Sequence, residues 1–277
     1  MRHTRRSLIV CLLLGAALLV ARASVAAGET AASDPVLDWT ASRVQVHVDT
    51  VAETGVPVFE GARRRWLTRL RGAGGAYRPD GRPLFFSGRR SGVTTYLTFY
   101  PFATWSDLDA RSAATKRTEA AVGGEAAVQD YDLGDAALVP PHHSQIWYRL
   151  PDLDYVPPGS TISLPEAREL RLEMRAMPVG SAPGLDDVWP ELQKALAEVR
   201  YPVACRAYWN LFGNGELVLA WMTSQAGAPA APAFDAALAG RPGAAALLAK
   251  LEARAPVREI VRLERRDDLS NLPGPGR

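Results

Sequence analysis

His47 stands beside Gln45 and Asp49 on one face of an alternating stretch, Arg43 to Val51, whose other face carries Val44, Val46 and Val48. An imidazole titrates near neutrality, so His47 is a candidate general base for a phenolic or enolic proton. Tyr96, Thr98 and Tyr100 share one face of a second strand-like stretch, and Trp147 and Arg149 share one face of a third. A shift of 126 positions carries Gln45, His47 and Asp49 onto Arg171, Glu173 and Arg175. If helices cover the Val44 face, the polar set points into the space between two sheets. There His47 would serve as base, with Tyr96 and Arg149 as orienting groups. Gln45, Asp49, Tyr100, Trp147, Glu173 and Arg175 would line the same pocket as ligand contacts. Aromatic walls with a few polar handles suit a small-molecule site. The same side chains could instead satisfy one another in an inter-sheet network of ion pairs, or lie on a face left to solvent.

Other chemistry-bearing residues form weaker patterns. His142 and His143 follow Pro140-Pro141, and neighbours in a strand point opposite ways, which makes them poor joint ligands. Asp152 or Asp154 could complete a metal site with them, but a surface loop is the simpler reading, and no metal is expected. Cys205 lies on an expected strand and reads as a small buried apolar group. The chain has no HExxH, CxxC, phosphate loop or GxSxG. Asp107 and Asp109 are explained by helix capping, with Ser106 as the cap.

The elements that must position these residues occur twice. Val44, Val46 and Val48 map onto Leu170, Leu172 and Met174 by the 126 shift, and Phe59, Trp66 and Leu70 map onto Leu185, Leu192 and Leu196. Alternation predicts a strand over 43–51, and helical spacing predicts a helix over 57–71, ended by Gly72, Gly74 and Gly75. A hairpin follows, with strands over 83–87 and 94–100 and a loop over 88–92. A helix runs from Ser106 to about Val122, then a loosely patterned stretch reaches Pro140-Pro141, and a strand spans 145–150. The second unit repeats the order. It has a strand over 169–174, a helix over 186–199 and strands over 203–211 and 216–223 joined by Gly213-Asn214-Gly215. A helix broken near Arg241-Pro242-Gly243 and a strand over 257–264 complete it. Strand–helix–strand–strand–helix–strand is the ferredoxin-like order. The expected fold is therefore α+β, two tandem ferredoxin-like βαββαβ modules packed sheet to sheet as a pseudo-dimeric α+β barrel. The modules span 43–150 and 169–272, with a linker over 151–168.

Residues 1–27 read as a secretory signal peptide. Arg2, Arg5 and Arg6 precede the apolar run Leu8 to Val20, with small residues fit for cleavage after Ala23 or Ala27. Residues 28–42 read as a flexible lead-in, and export to the periplasm or the extracellular medium is the expectation. Removing the four arginines of residues 1–27 leaves 28 basic against 30 acidic side chains, so nucleic acid and anionic membrane surfaces are not expected partners. Only Cys205 then remains, which excludes an intrachain disulfide. Arg63, Arg64 and Arg65 read as a solvated helix face.

The two βαββαβ units and the junction Tyr96-Leu97-Thr98-Phe99-Tyr100-Pro101-Phe102-Ala103-Thr104-Trp105-Ser106-Asp107-Leu108-Asp109 resemble the dimeric α+β barrel superfamily. That group includes antibiotic-biosynthesis-monooxygenase-like, NIPSNAP-like and haem-binding chlorite dismutase-like proteins, and exported bacterial proteins of unknown function with two such modules. The resemblance covers about residues 43–272. The first reading is an exported binding module of uncharacterised activity that holds a small, partly aromatic ligand between its sheets, or uses its surface for a protein partner, without a cofactor. A cofactor-independent monooxygenase or isomerase is the alternative, and a haem-binding protein the third reading. The Gly-x-x-Asp-Gly motif of dye-decolourising peroxidases is missing.

Overall fold

The computed structural model describes residues 38–72, 84–139, 142–160, 163–177, 185–212, 215–224 and 233–270. The expected signal peptide, most of the lead-in, Pro140-Pro141, Gly213-Asn214 and parts of the linker lie outside these.

The first half contains β1 (Arg43–Ala52), α1 (Val56–Gly72), β2 (Leu84–Arg90), β3 (Val93–Phe102), α2 (Trp105–Ala121), α3 (Glu125–Asp135) and β4 (His143–Arg149). The second contains β5 (Glu169–Ala176), α4 (Trp189–Glu198), β6 (Ala204–Asn210), β7 (Glu216–Thr223), α5 (Phe234–Leu238), α6 (Ala244–Arg254) and β8 (Val257–Arg265). The eight strands close into an antiparallel barrel in the order β1-β3-β2-β8-β5-β7-β6-β4. Closure needs two seams. One joins β2 to β8 through Phe86↔Arg265 and Ser87↔Glu264, and the other joins β4 to β6 through Trp147↔Asn210, Tyr148↔Trp209 and Arg149↔Tyr208. Pairing at both seams makes one continuous closed sheet, which leaves no open strand edge.

Every strand contributes to one interior cluster: Val46, Phe86, Phe99, Trp147, Leu172, Tyr208, Val218 and Leu263 each come from a different strand. Helices pack on the outside. Phe59 of α1 meets Phe85 and Tyr96 on the outer face of the first half. Trp189, Leu192 and Leu196 of α4 and Leu247 and Leu251 of α6 meet Cys205, Leu219 and Trp221 on the second. Each fully buried side chain of this size stabilises the fold by about 2 kcal/mol.

Several elements depart from expectation. The β2–β3 hairpin turns at Ser91-Gly92, both with positive φ (44° and 81°), so β2 continues through Gly88 to Arg90. Helix α2 is opened by Thr104 rather than Ser106, because Asp107 accepts from the Thr104 N–H at 2.8 Å. Helix α3 occupies the stretch that carries no apolar stripe. It buries only Ala127 and Gly134, and Asp130 holds it to α1 through Arg65 and Arg69. Of the three arginines expected on a solvated face, Arg64 and Arg65 are exposed and Arg63 is not. Arg63 is buried and donates to the Leu269 carbonyl and the Tyr131 hydroxyl, and Arg64 bridges Glu60 and Asp268.

Candidate functional site

The alternation of β1 is oriented opposite to expectation. Val44 and Val46 join the barrel interior, so Gln45, His47 and Asp49 look outward toward the helices. The strand register carries this around the sheet. Gln45 is opposite Tyr100, and Asp49 is opposite Tyr96, so both tyrosines are also outside. Arg171, Glu173 and Arg175 alternate with the interior residues Leu170 and Leu172, which places them outside on β5. Trp147 instead faces inward, between Phe99 and Tyr208. The barrel interior is mostly apolar because it is ringed by strands alone, with Gln145 and Asn210 bonded to one another there, and the β1 and β5 charged sets fall where helices can supply partners.

The nine residues therefore divide among separate places and do not line one pocket between the sheets. Tyr96 donates its hydroxyl to Glu60 at 2.9 Å, and burial together with that carboxylate pushes its phenol far above the ordinary range. Tyr100 is covered by the Arg111 guanidinium at 4.8 Å, and Arg111 also holds Gln45. Arg149 binds Asp154 at 2.6 Å, beyond the end of β4. Glu173 lies between Arg171 and Arg175, with Arg175 Nη2 at 3.0 Å from Oε2. Trp147 donates to Gln145 at 2.8 Å inside the barrel.

A cleft of about 650 Å³ crosses the outer face at the β2–β8 seam. That volume suits a small organic ligand. Tyr96, Tyr201 and Trp221 supply aromatic walls, and Glu60 with Arg266 closes one side through an ion pair. Trp221 stacks on Phe234 at 5.0 Å. Five buried polar atoms of lining residues have no hydrogen-bond partner among the described residues: Trp221 Nε1, Arg171 Nε and Nη1, Thr94 Oγ1 and Thr223 Oγ1, of which Arg171 Nη1 is ion-paired with Glu173. An indole N–H and a guanidinium Nε–H can only donate. Arg89 and Arg262, exposed at the rim, have no carboxylate partner among the described residues. Of the expected site residues only Tyr96 lines this cleft. Trp221, Arg171 and Thr223 were legible as strand residues, but nothing in their spacing marks a seam that forms between distant halves.

A second cluster lies on β1. His47 Nε2 is 3.2 Å and His142 Nδ1 2.7 Å from the same Asp49 oxygen, and the two imidazole rings meet edge to face at 4.7 Å. His47 Nδ1 lies 2.9 Å from Ser144 Oγ. The adjacent histidines do point opposite ways: His143 turns to Gln145, at 2.9 Å. It is His142 that reaches this group, rather than the loop carboxylates Asp152 and Asp154. Burial pushes the Asp49 carboxyl up, but hydrogen bonds and charge from His47 and His142 outweigh this and hold it below the usual range. Burial and the Asp49 charge push Asp135 up. Cys205 is buried, and desolvation pushes its thiol well up, which leaves it inert as a nucleophile.

Architecture and cleft together define an α+β barrel with its recess on the helix-covered face. No family model matches the sequence, and no curated protein matches it. In structure, the chain aligns with solved proteins of the dimeric α+β barrel fold. A monooxygenase candidate from Fusobacterium nucleatum aligns with a TM-score of 0.50 at 9% identity, over 82% of this chain and 92% of its own. An anthrone oxidase-like protein aligns at 0.47 and 12%, over 84% and 94%. A heme-binding protein from Thermus thermophilus aligns at 0.45 and 9%, over 82% and 92%. Identities this low establish the shared fold alone.

Proposed function

We propose that this protein binds a small, planar, partly aromatic ligand in the seam cleft, and that the ligand carries hydrogen-bond acceptors and a negative charge. The observation that carries this is the pair of donor-only groups, Trp221 Nε1 and Arg171 Nε, buried without partners in the cleft wall. Buried donors left unmatched cost about 1–3 kcal/mol each, and a carbonyl or phenolate oxygen in the cleft would satisfy them. The lining carries four arginines, Arg89, Arg171, Arg262 and Arg266, against three glutamates, Glu60, Glu169 and Glu264, and this small positive excess favours an anionic end. The aromatic walls favour a flat body.

Binding is a better reading than His47-dependent catalysis, because His47, Tyr96 and Arg149 make their contacts in three different places. Haem is the cofactor that some fold neighbours suggest. The cleft offers it few ligands, since its lining holds no histidine, cysteine or methionine, and of its two tyrosines Tyr96 is engaged by Glu60.

The duplicated pattern supports reading the chain as two tandem ferredoxin-like modules. In support, β4-β1-β3-β2 and β8-β5-β7-β6 follow the same internal order. On that reading the cleft forms where the first module's β2 meets the second module's β8. Export remains part of the proposal on the strength of residues 1–27. Among the described residues no helix is long and apolar enough to cross a membrane.

The probe that tests the binding proposal is 1-hydroxy-2-naphthoate, titrated into the full chain by calorimetry. Trp221→Phe keeps the stacked ring and removes the donor, so affinity is expected to fall about tenfold, the worth of one hydrogen bond to a charged acceptor. Arg171→Met is expected to weaken binding at least as much. Equal affinity in the wild type and both variants, or no saturable binding at all, would refute the cleft reading.

A further inference from the structure

We infer that His47, Asp49 and His142 form a binding site for one divalent first-row transition-metal ion, separate from the seam cleft. Strand geometry assembles the three donors. His47 and Asp49 are two residues apart on β1 and so share its outer face. Antiparallel pairing of β1 with β4 ends at Val48↔His143, and one step further sets His142 opposite Asp49. Three donor atoms, one from each residue, lie within 4.8 Å of one another. Nitrogen donors on a tetrahedral zinc ion at about 2.1 Å are about 3.4 Å apart, so the cluster needs only small side-chain movement to close on an ion.

The surroundings suit a metal ligand set. Asp49 is 6% exposed, and its hydrogen-bond partners among the described residues are the two imidazoles. A cation between the three groups would neutralise the carboxylate in its buried setting while both imidazoles stay neutral. His47 already has an outer partner: with Nε2 on the ion, its Nδ1–H donates to Ser144 Oγ, which fixes the tautomer and ring plane as metal-bound histidines require. His142 is half-exposed and leaves a solvent path to the ion. Two imidazoles and one carboxylate, with no thiolate, favour zinc, cobalt, nickel or iron(II) over calcium or magnesium. Three protein donors also leave at least one coordination position open for water or a small ligand.

The test uses the full chain, treated with chelator, dialysed and titrated with zinc chloride by calorimetry. We expect one zinc ion per chain, with affinity reduced at least tenfold in both His142→Gln and His47→Gln. His3→Gln, in the N-terminal segment, is expected to leave binding unchanged. Cobalt(II) is expected to give visible d–d bands in the wild type that His142→Gln abolishes. Asp49→Asn risks misfolding because Asp49 is buried, so the half-exposed His142 decides the matter, with circular dichroism verifying that the variant is folded. Zinc binding as tight in folded His142→Gln as in the wild type, or zinc no tighter than calcium, would overturn the site.

Discussion

Replacing Glu173 by glutamine is expected to destabilise the protein by about 3–5 kcal/mol, the cost of removing one partner from a buried ion cluster. Glu173 is 1% exposed and stands between two arginines. Arg175 is itself only 4% exposed, with Nη1 donating to the Ala255 carbonyl at 2.7 Å and the guanidinium lying over Phe234 at 5.9 Å. Glutamine preserves shape but leaves the cationic charge of Arg175 in a low-dielectric setting with only Glu252, at 3.4 Å on the surface, to balance it. Urea unfolding should show a lower midpoint with an unchanged slope. A companion variant with all three residues made apolar should recover most of the loss, because the desolvation cost disappears together with the attraction. A loss below about 1 kcal/mol for Glu173→Gln would mean that the cluster is hydrated rather than buried.

Gly88→Ala is expected to cost about 3 kcal/mol and to act at the barrel's weakest closure. A Cβ built on Gly88 would sit 2.0 Å from the Arg262 carbonyl oxygen and 3.0 Å from Leu263. The first contact is with backbone, so a rotamer change cannot relieve it, and β8 must move away from β2. That seam is held by only two paired positions, Phe86↔Arg265 and Ser87↔Glu264. The consequence reaches function, because Gly88, Leu263 and Arg262 all line the cleft. Amide hydrogen exchange should therefore speed up in β2 and β8 while β1 and β3 stay protected. Exchange that rises evenly over the whole chain would contradict a local role for Gly88.

Much of the scaffold was readable from spacing, and the reason is physical. The 126-residue shift from Val44 and Val46 to Leu170 and Leu172 tracks burial, and all four side chains do enter the same interior cluster. A period of two shows that the faces of a strand differ. It does not show which face meets helices and which meets other strands. Here both faces are buried: Asp49 and Glu173 are as hidden on the outside as Val44 and Leu172 are inside. The charged face was therefore placed between the sheets, and the expected pocket went with it. Helix α3 was not legible because its contacts are a close glycine packing, Gly134 on Ala62, and ion pairs from Asp130, neither of which leaves an apolar stripe. The cleft was hidden for another reason. Its walls come from α1, β2, β3, β5, β7, β8 and the segment before β6, across a seam that local pattern cannot foretell. His142 was likewise set aside as a loop residue, because only the β1–β4 register brings it to Asp49.

A ligand in the seam cleft and a ligand inside the barrel are told apart by two indole N–H groups, one in each place. Trp221 Nε1 lines the cleft without a partner, whereas Trp147 Nε1 is bonded to Gln145 in the interior. In a 15N-labelled sample titrated with 1-hydroxy-2-naphthoate, the Trp221 indole resonance, assigned by its loss in Trp221→Phe, should shift and saturate while that of Trp147 stays in place. Movement of the Trp147 resonance with Trp221 unchanged would put the ligand between the sheets and contradict the account.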